Sequence, residues 1–152
     1  MIEIKVENPD QAAVHALLAA SDAYMQSLYP AESNHMVDVT TLTQSHVTFL
    51  VARAEGQAVG CAAVVKSTDG WAEIKRMFVS PAARGKKVGR LLLERLEAIA
   101  RQKGIPALRL ETGIRQPEAL ALYRSAGFQE IEPFGDYRPD PLSLFMEKTI
   151  TA

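Results

Sequence analysis

The residues best suited to chemistry fall between Val79 and Leu93, in the run VSPAARGKKVGRLLL. A β-forming run, Met77-Phe78-Val79, stops at Ser80-Pro81. A basic, glycine-containing loop follows, Arg84-Gly85-Lys86-Lys87-Val88-Gly89, and Leu91-Leu92-Leu93 then opens an apolar helical pattern. Strand, loop and helix start in that order make a cradle for a phosphorylated ligand. A helix start presents unpartnered N–H groups and a partial positive charge, so it attracts anions. Glycines let the backbone come close, and successive amides can wrap an oxyanion. Read alone, the loop would serve any phosphorylated ligand, or would be a solvated turn with ordinary helix capping.

The elements that must position this loop follow from periodicity. Ile2, Ile4 and Val6 alternate with charged residues, which predicts a first strand. Asn8-Pro9 reads as a helix cap with proline at the first helical position, and Ala13, Leu17, Ala20 and Tyr24 carry the helix to about Leu28. A Pro-interrupted polar loop covers 29–35, and a short helix or turn covers 39–44. Val47 to Ala54 and Ala58 to Lys66 form a hairpin around Glu55-Gly56-Gln57. A strand is expected from Trp71 to Val79 and a helix from Leu91 to Lys103, stopped by Gly104 and Pro106. A strand over 107–112, a helix over 117–126 and strands over 128–131 and 142–150 complete the chain. The order, β-α-(α)-β-β-β-α-β-α-β-β, mixes hairpins with β-α-β units. It predicts one domain of α+β (mixed α/β) class with helices on both faces of the sheet.

Bulk properties narrow the function. A length of 152 residues suits one domain with a sizeable core. The net charge of −1 argues against a nucleic-acid partner, because such proteins usually carry a basic excess. Cys61 is the single cysteine, which excludes an internal disulfide and any multi-cysteine metal site; within its apolar run it reads as a buried, inert thiol. Three scattered histidines, His15, His35 and His46, make no metal site. No apolar run approaches the ~20 residues needed to span a bilayer, and MIEIKVEN lacks the apolar core of a signal peptide. A cytoplasmic protein without a membrane partner is expected.

Two blocks carry a family resemblance. Arg84-Gly85-Lys86-Lys87-Val88-Gly89 resembles the acyl-CoA motif of the GNAT family of N-acetyltransferases, Arg/Gln-x-x-Gly-x-Gly/Ala, with Lys87 in place of the middle glycine. Ala119-Leu120-Ala121-Leu122-Tyr123-Arg124-Ser125-Ala126-Gly127-Phe128 resembles the family's downstream A-x-x-L-Y-x-x-x-G-F segment, at the family's spacing. The tail from Glu132 to Met146, Pro30-x-Glu32-Ser33-x-His35 and Leu110-Glu111-Thr112-Gly113 resemble the YsnE-like bacterial branch. The resemblance implies a central, mostly antiparallel, twisted sheet of about seven strands, with acetyl-CoA as co-substrate and no metal.

The resemblance also implies site residues. The amides of residues 84–89 and the Arg84 side chain would hold the CoA pyrophosphate, while Lys86, Lys87 and Arg90 reach toward the 3′-phosphate. Lys87 can still donate its amide, provided that its position does not need a positive φ. Free main-chain groups of Met77, Phe78 and Val79 would pair with the pantetheine arm as an added strand does. Gln116 stands where many relatives have a cofactor-touching asparagine. Tyr123 reads as a core aromatic by spacing alone; the resemblance places it beside the thioester sulfur, as a phenol protonated at neutral pH that can reprotonate the leaving thiolate. Glu73 matches a general base of one family branch, and an ion pair across strands is its ordinary alternative. Glu111, at a strand C-terminus, is a candidate acceptor contact. So are Tyr29, Tyr137, Glu32 and His35, the last two on a loop that covers the acceptor site in relatives.

The expected activity is direct acetyl transfer from acetyl-CoA to a primary amine, a small molecule or amino acid, in a ternary complex. A catalytically idle acyl-CoA-binding regulatory module and a protein lysine or N-terminal acetyltransferase are the alternatives. A homodimer is common in the family.

Overall fold

The computed structural model describes residues 1–33 and 37–151. Seven strands form one sheet in the order β1-β2-β3-β4-β5-β7-β6. β1 (Ile2–Val6) pairs with β2 (Val47–Ala54), which forms a hairpin with β3 (Gln57–Lys66). Its turn residues Glu55 and Gly56 have φ of 51° and 86°, a pair whose twist matches the flanking strands. β4 (Ala72–Val79) is antiparallel to β3, β5 (Ala107–Gly113) is parallel to β4, and β7 (Ser143–Thr149) lies between β5 and β6 (Gln129–Ile131). One pairing in six is therefore parallel, that of β4 with β5, and the expected mostly antiparallel α+β sheet is the one observed.

Helices cover both faces. α1 (Ala12–Leu28) and α2 (Val39–Leu42) pack Val14, Leu17, Leu18 and Leu42 on Phe49, Val51, Cys61 and Ala63. On the other face, α3 (Val88–Gln102) and α4 (Pro117–Ser125) set Leu92, Leu93, Leu96 and Tyr123 against Leu50, Val64, Ile74, Leu108 and Leu110. The alternation along each strand decides which residue meets which layer.

Two helix starts differ from the sequence expectation. α1 begins at Ala12 after Gln11, and not at Asn8-Pro9. The Asn8 side chain accepts from the Asp10 N–H at 2.9 Å, forming a local turn that competes with helix entry. α3 begins at Val88, three residues before Leu91, so the basic loop runs directly into the helix.

Two features shape the sheet around the later site. Only Ala72–Leu108 and Glu73–Arg109 are paired between β4 and β5; beyond them the strands part. In β4, Lys75 faces Ala63 and Phe78 faces Cys61, so three steps on β4 match two on β3. This bulge holds Arg76 at φ 56°. The end of α1 is tied to the turn after β5 by Tyr29, which is buried. Its hydroxyl accepts the Arg115 N–H at 3.0 Å and donates to the Gln116 side chain at 3.2 Å. The ring lies so close on Gly113 that a Cβ there would sit 1.9 Å from the hydroxyl oxygen. Gly113→Ala is expected to lower stability by about 1–3 kcal/mol through overpacking, read as a lower denaturant midpoint in urea unfolding.

Candidate active site

A cavity of about 500 Å³ occupies the gap where β4 and β5 part. One wall is β4 from Ile74 to Val79, and the opposite wall is Leu110, Glu111 and Thr112 of β5. Ser21, Tyr24 and Met25 of α1 close one side, and the starts of α3 and α4 close the other.

At the α3 end, Gly85 and Lys87 have φ of 84° and 63°. Lys87 is the N-cap, left-handed, followed at once by right-handed helix. That succession turns neighbouring N–H groups to one side, and the first amides of α3 lack intrahelical acceptors. Gly89 lines the cavity and packs tightly: a Cβ there would lie 3.1 Å from the Leu122 side chain. Arg84 is exposed beside this end, its guanidinium 5.6 Å from the Tyr24 ring centroid. Arg90, also at the rim, donates to the Ser125 hydroxyl at 2.7 Å. The middle glycine of the sequence motif thus marks a position that does take a positive φ. Lys87 occupies it at the conformational cost of a left-handed non-glycine residue.

Tyr123 also lines the cavity, buried in the α3/α4 core and edge-on to Phe128 with ring centroids 5.8 Å apart. Burial raises the phenol's pKa above its usual value, and the Glu111 carboxylate pushes it the same way. The hydroxyl is therefore fully protonated at neutral pH. Glu111 accepts a hydrogen bond from the Ser143 hydroxyl at 2.7 Å.

Beside the cavity, Glu73 and Tyr137 form a cluster with Lys75, which lines the β4 wall. Tyr137 donates to Glu73, Lys75 donates to the Tyr137 hydroxyl, and the Lys75 ammonium lies 3.2 Å from the Glu73 carboxylate. Burial, then the Glu73 charge and hydrogen bond, raise the Tyr137 pKa. Arg76 is paired with Asp22 of α1 at 2.7 Å, its side chain only 3% exposed.

The structure thus gathers Met77, Phe78, Val79, Arg84, Gly85, Lys87, Val88, Gly89, Arg90, Glu111, Gln116 and Tyr123 around one cavity. Glu73, Lys86, Tyr29 and Tyr137 are not among its lining residues. Tyr29 is engaged by the β5–α4 turn, and Tyr137 and Glu73 stand behind Lys75. Glu32 lies in the 3-10 turn Ala31–Ser33, its side chain outside the described ones, and His35 lies outside the described residues. Sequence reading missed Ser21, Tyr24, Lys75 and Arg76. Helical spacing placed Tyr24 on α1 without saying which face it lines, and strand alternation would point Lys75 and Arg76 to opposite faces. Among the described residues no three His, Cys, Asp or Glu side chains gather as a metal site, and no helix is long and apolar enough to cross a membrane.

A parted β4/β5 pair with a glycine-bearing helix start at its mouth defines an acyl-CoA N-acyltransferase fold. A Klebsiella pneumoniae structure assigned to the acyl-CoA N-acyltransferases superposes with a TM-score of 0.85 at 41% identity, over 99% of both chains. A sequence model of the Acetyltransferase (GNAT) family matches residues 5–128, and the chain belongs to that family. An Azospirillum brasilense protein named IAA acetyltransferase is 53% identical over 150 residues, 98% of each chain. The Bacillus subtilis N-acetyltransferase YsnE, uncharacterized, is 32% identical over 98% of this chain and 100% of its own. By family and fold this protein is an acyl-CoA-dependent N-acetyltransferase.

Two expectations follow from the geometry. Lys87→Gly removes the left-handed strain while loosening the unfolded chain, so the net gain in stability is under about 1 kcal/mol, read as a higher urea midpoint. Cys61 lies fully buried in β3, its Sγ 3.3 Å from the Arg76 carbonyl, and burial pushes the thiol up to about 12 from an ordinary 9.0. At pH 8 the native protein should resist iodoacetamide, and the urea-unfolded chain should take up one equivalent.

Proposed function

We propose that this protein transfers the acetyl group of acetyl-CoA to the primary amine of a small molecule, by direct attack within a ternary complex. The observation that carries this reading is one cavity lined both by the α3 helix start and by a buried, protonated tyrosine.

The residues present suit the co-substrate. The amides at the start of α3, turned together by Gly85 and Lys87, would hold the pyrophosphate, with Arg84 beside them. Where β4 leaves β5, the main chain of Met77 to Val79 has no sheet partner on that side among the described residues and would pair with the pantetheine amides. The same edge offers N–H groups to the acetyl carbonyl as negative charge develops on it. Acetyl-CoA supplies an activated thioester. Tyr123, held protonated at neutral pH, supplies the proton to the departing thiolate. Glu111, on the β5 wall, receives the acceptor's ammonium. Glu111 also takes up, through water, the proton that the ammonium loses before it attacks, since Glu73 lies outside the cavity lining. Holding both reactants in one cavity lowers the entropic part of the barrier.

A thiol-release assay with acetyl-CoA against a broad amine panel tests the reading. IAA, which the Azospirillum relative's name carries, belongs in the panel beside amines, amino acids and peptide N-termini. Propionyl- and succinyl-CoA, run in parallel, test the acyl preference. Tyr123→Phe should lower kcat by about 10²-fold or more, as loss of a general acid does. It should keep the melting-temperature rise that acetyl-CoA produces, because the phosphate-binding amides are untouched. Unchanged turnover in this variant would remove Tyr123 from the acid role. Retained acetyl-CoA binding with no acceptor turned over would favour an acyl-CoA-binding module.

A further inference from the structure

Neighbouring residues of a strand point to opposite faces. Lys75 and Arg76 do not. Lys75 pairs with Ala63, whose side chain packs in the α1 layer, so Lys75 is on the α1 face. One residue later the bulge holds Arg76 at φ 56°, a strained conformation for arginine, and the phase of the strand slips. The Arg76 guanidinium therefore also points to α1. There it donates to Asp22 at 2.7 Å and to the Leu18 carbonyl at 3.2 Å. Two adjacent cations thus stand on one wall, and both line the cavity.

The wall is built and held. Tyr137 and Glu73 fix Lys75 from behind, and Asp22 and the Leu18 carbonyl fix Arg76. The Arg76 side chain is only 3% exposed, and its Nε–H is buried without a partner. A buried, unmet donor on a charged group is costly, and such groups mark sites that await a ligand or serve chemistry. Glu73 and Asp22 pair with these cations from outside the cavity lining, so the charged side chains that line this wall are Lys75 and Arg76. Across the gap, Glu111 lines the cavity and its charge reaches Tyr123. The acceptor half of the cavity is therefore polarised, with acid on the β5 wall near the tyrosine and two cations on the β4 wall.

We infer that Lys75 and Arg76 read a carboxylate on the acceptor, so that the substrate is an amino-acid-like molecule carrying its amine and its carboxylate a few bonds apart. This rests on the proposed acetyl transfer to an amine. The ammonium end lies toward Glu111 and Tyr123, where the reaction takes place, and the carboxylate lies against β4. Lys75 makes the contact, and Arg76 adds the second charge and an unmet N–H.

The test compares free amino acids with their own carboxamides as acceptors for acetyl-CoA, using the purified full-length chain. The acid form should be preferred by about tenfold or more in kcat/KM, the size expected when a charge-assisted hydrogen bond is lost. The bias of the comparison runs the other way, because a carboxamide's amine is less basic and more of it is neutral at pH 7.5. In Lys75→Gln the ratio of acid to amide should fall toward one, mainly through KM for the acid, while Lys75→Arg should preserve it. Arg76→Gln should narrow the ratio in the same direction. An acid-to-amide ratio near one in the wild type, or a preference that survives intact in Lys75→Gln, would overturn the inference while leaving amine acetylation standing. Thiol release from no amine of either series would overturn the acetyl-transfer reading, and this inference with it. The wild-type ratio decides without any variant, so a variant that fails to fold does not blunt the test.

Discussion

The parting of β4 from β5 is the constraint on which the rest of this structure depends. Two parallel strands at the centre of a sheet would ordinarily pair along their length, because an unpaired buried backbone group costs about as much as a lost hydrogen bond. Here they pair at two positions and then diverge. Each strand is held on its outer side, β4 by six register pairs with β3 and β5 by seven with β7. Below the gap, Ile74, Leu108 and Leu110 are joined through the packed side chains of α3 and α4. The sheet can open at one end without coming apart because each half is a ladder in its own right. The opening leaves strand edge facing a cavity, which is what an extended ligand arm needs.

The two faces of the opening differ in chemistry. The α3/α4 face is a largely apolar core that brings the Tyr123 ring to the cavity, with Lys87, Arg90, Gln116 and Glu118 at the helix starts. The opposite face carries Glu73, Lys75, Arg109, Glu111 and Glu147, with Arg109 paired to Glu147 at 2.7 Å and stacked 4.8 Å over Trp71. Trp71, Phe134, Tyr137 and Phe145 form an edge-to-face cluster beside these charges. Exposed pairs of this kind contribute little to stability, whereas half-buried ones fix side-chain geometry. Tyr29 extends the same logic to the chain ends of the site: one hydroxyl links α1 to the turn that starts α4, and so to the helix that carries Tyr123.

Much of this was legible in the residues. Binary patterning found each strand and helix, since period 2 and period 3.6 are local properties of the backbone. The basic loop was recognisable as an anion cradle because its chemistry lies in consecutive amides and glycines, and its spacing to Tyr123 identified the family. Boundaries were less legible where a side chain competed for backbone groups, as Asn8 does before α1, or where a non-glycine residue takes a left-handed φ, as Lys87 does at the start of α3. Tyr29 and Tyr137 were singled out as pocket residues, yet their side chains reach partners 87 and 64 residues away in sequence, Gln116 and Glu73. No local pattern reports such contacts.

The sequence by itself determined the element order, the two apolar faces and the helix-start cradle, because each rests on neighbours within about one turn or one strand, and the spacing of two motif blocks added the family. Only the tertiary structure decided that β4 and β5 part after two residue pairs, that Glu73 stands behind Lys75, and that Lys75 and Arg76 share a face. The physical reason is the bulge at Arg76. It is a mismatch between two strands, three residues against two, and a mismatch of that kind exists only once the strands have met.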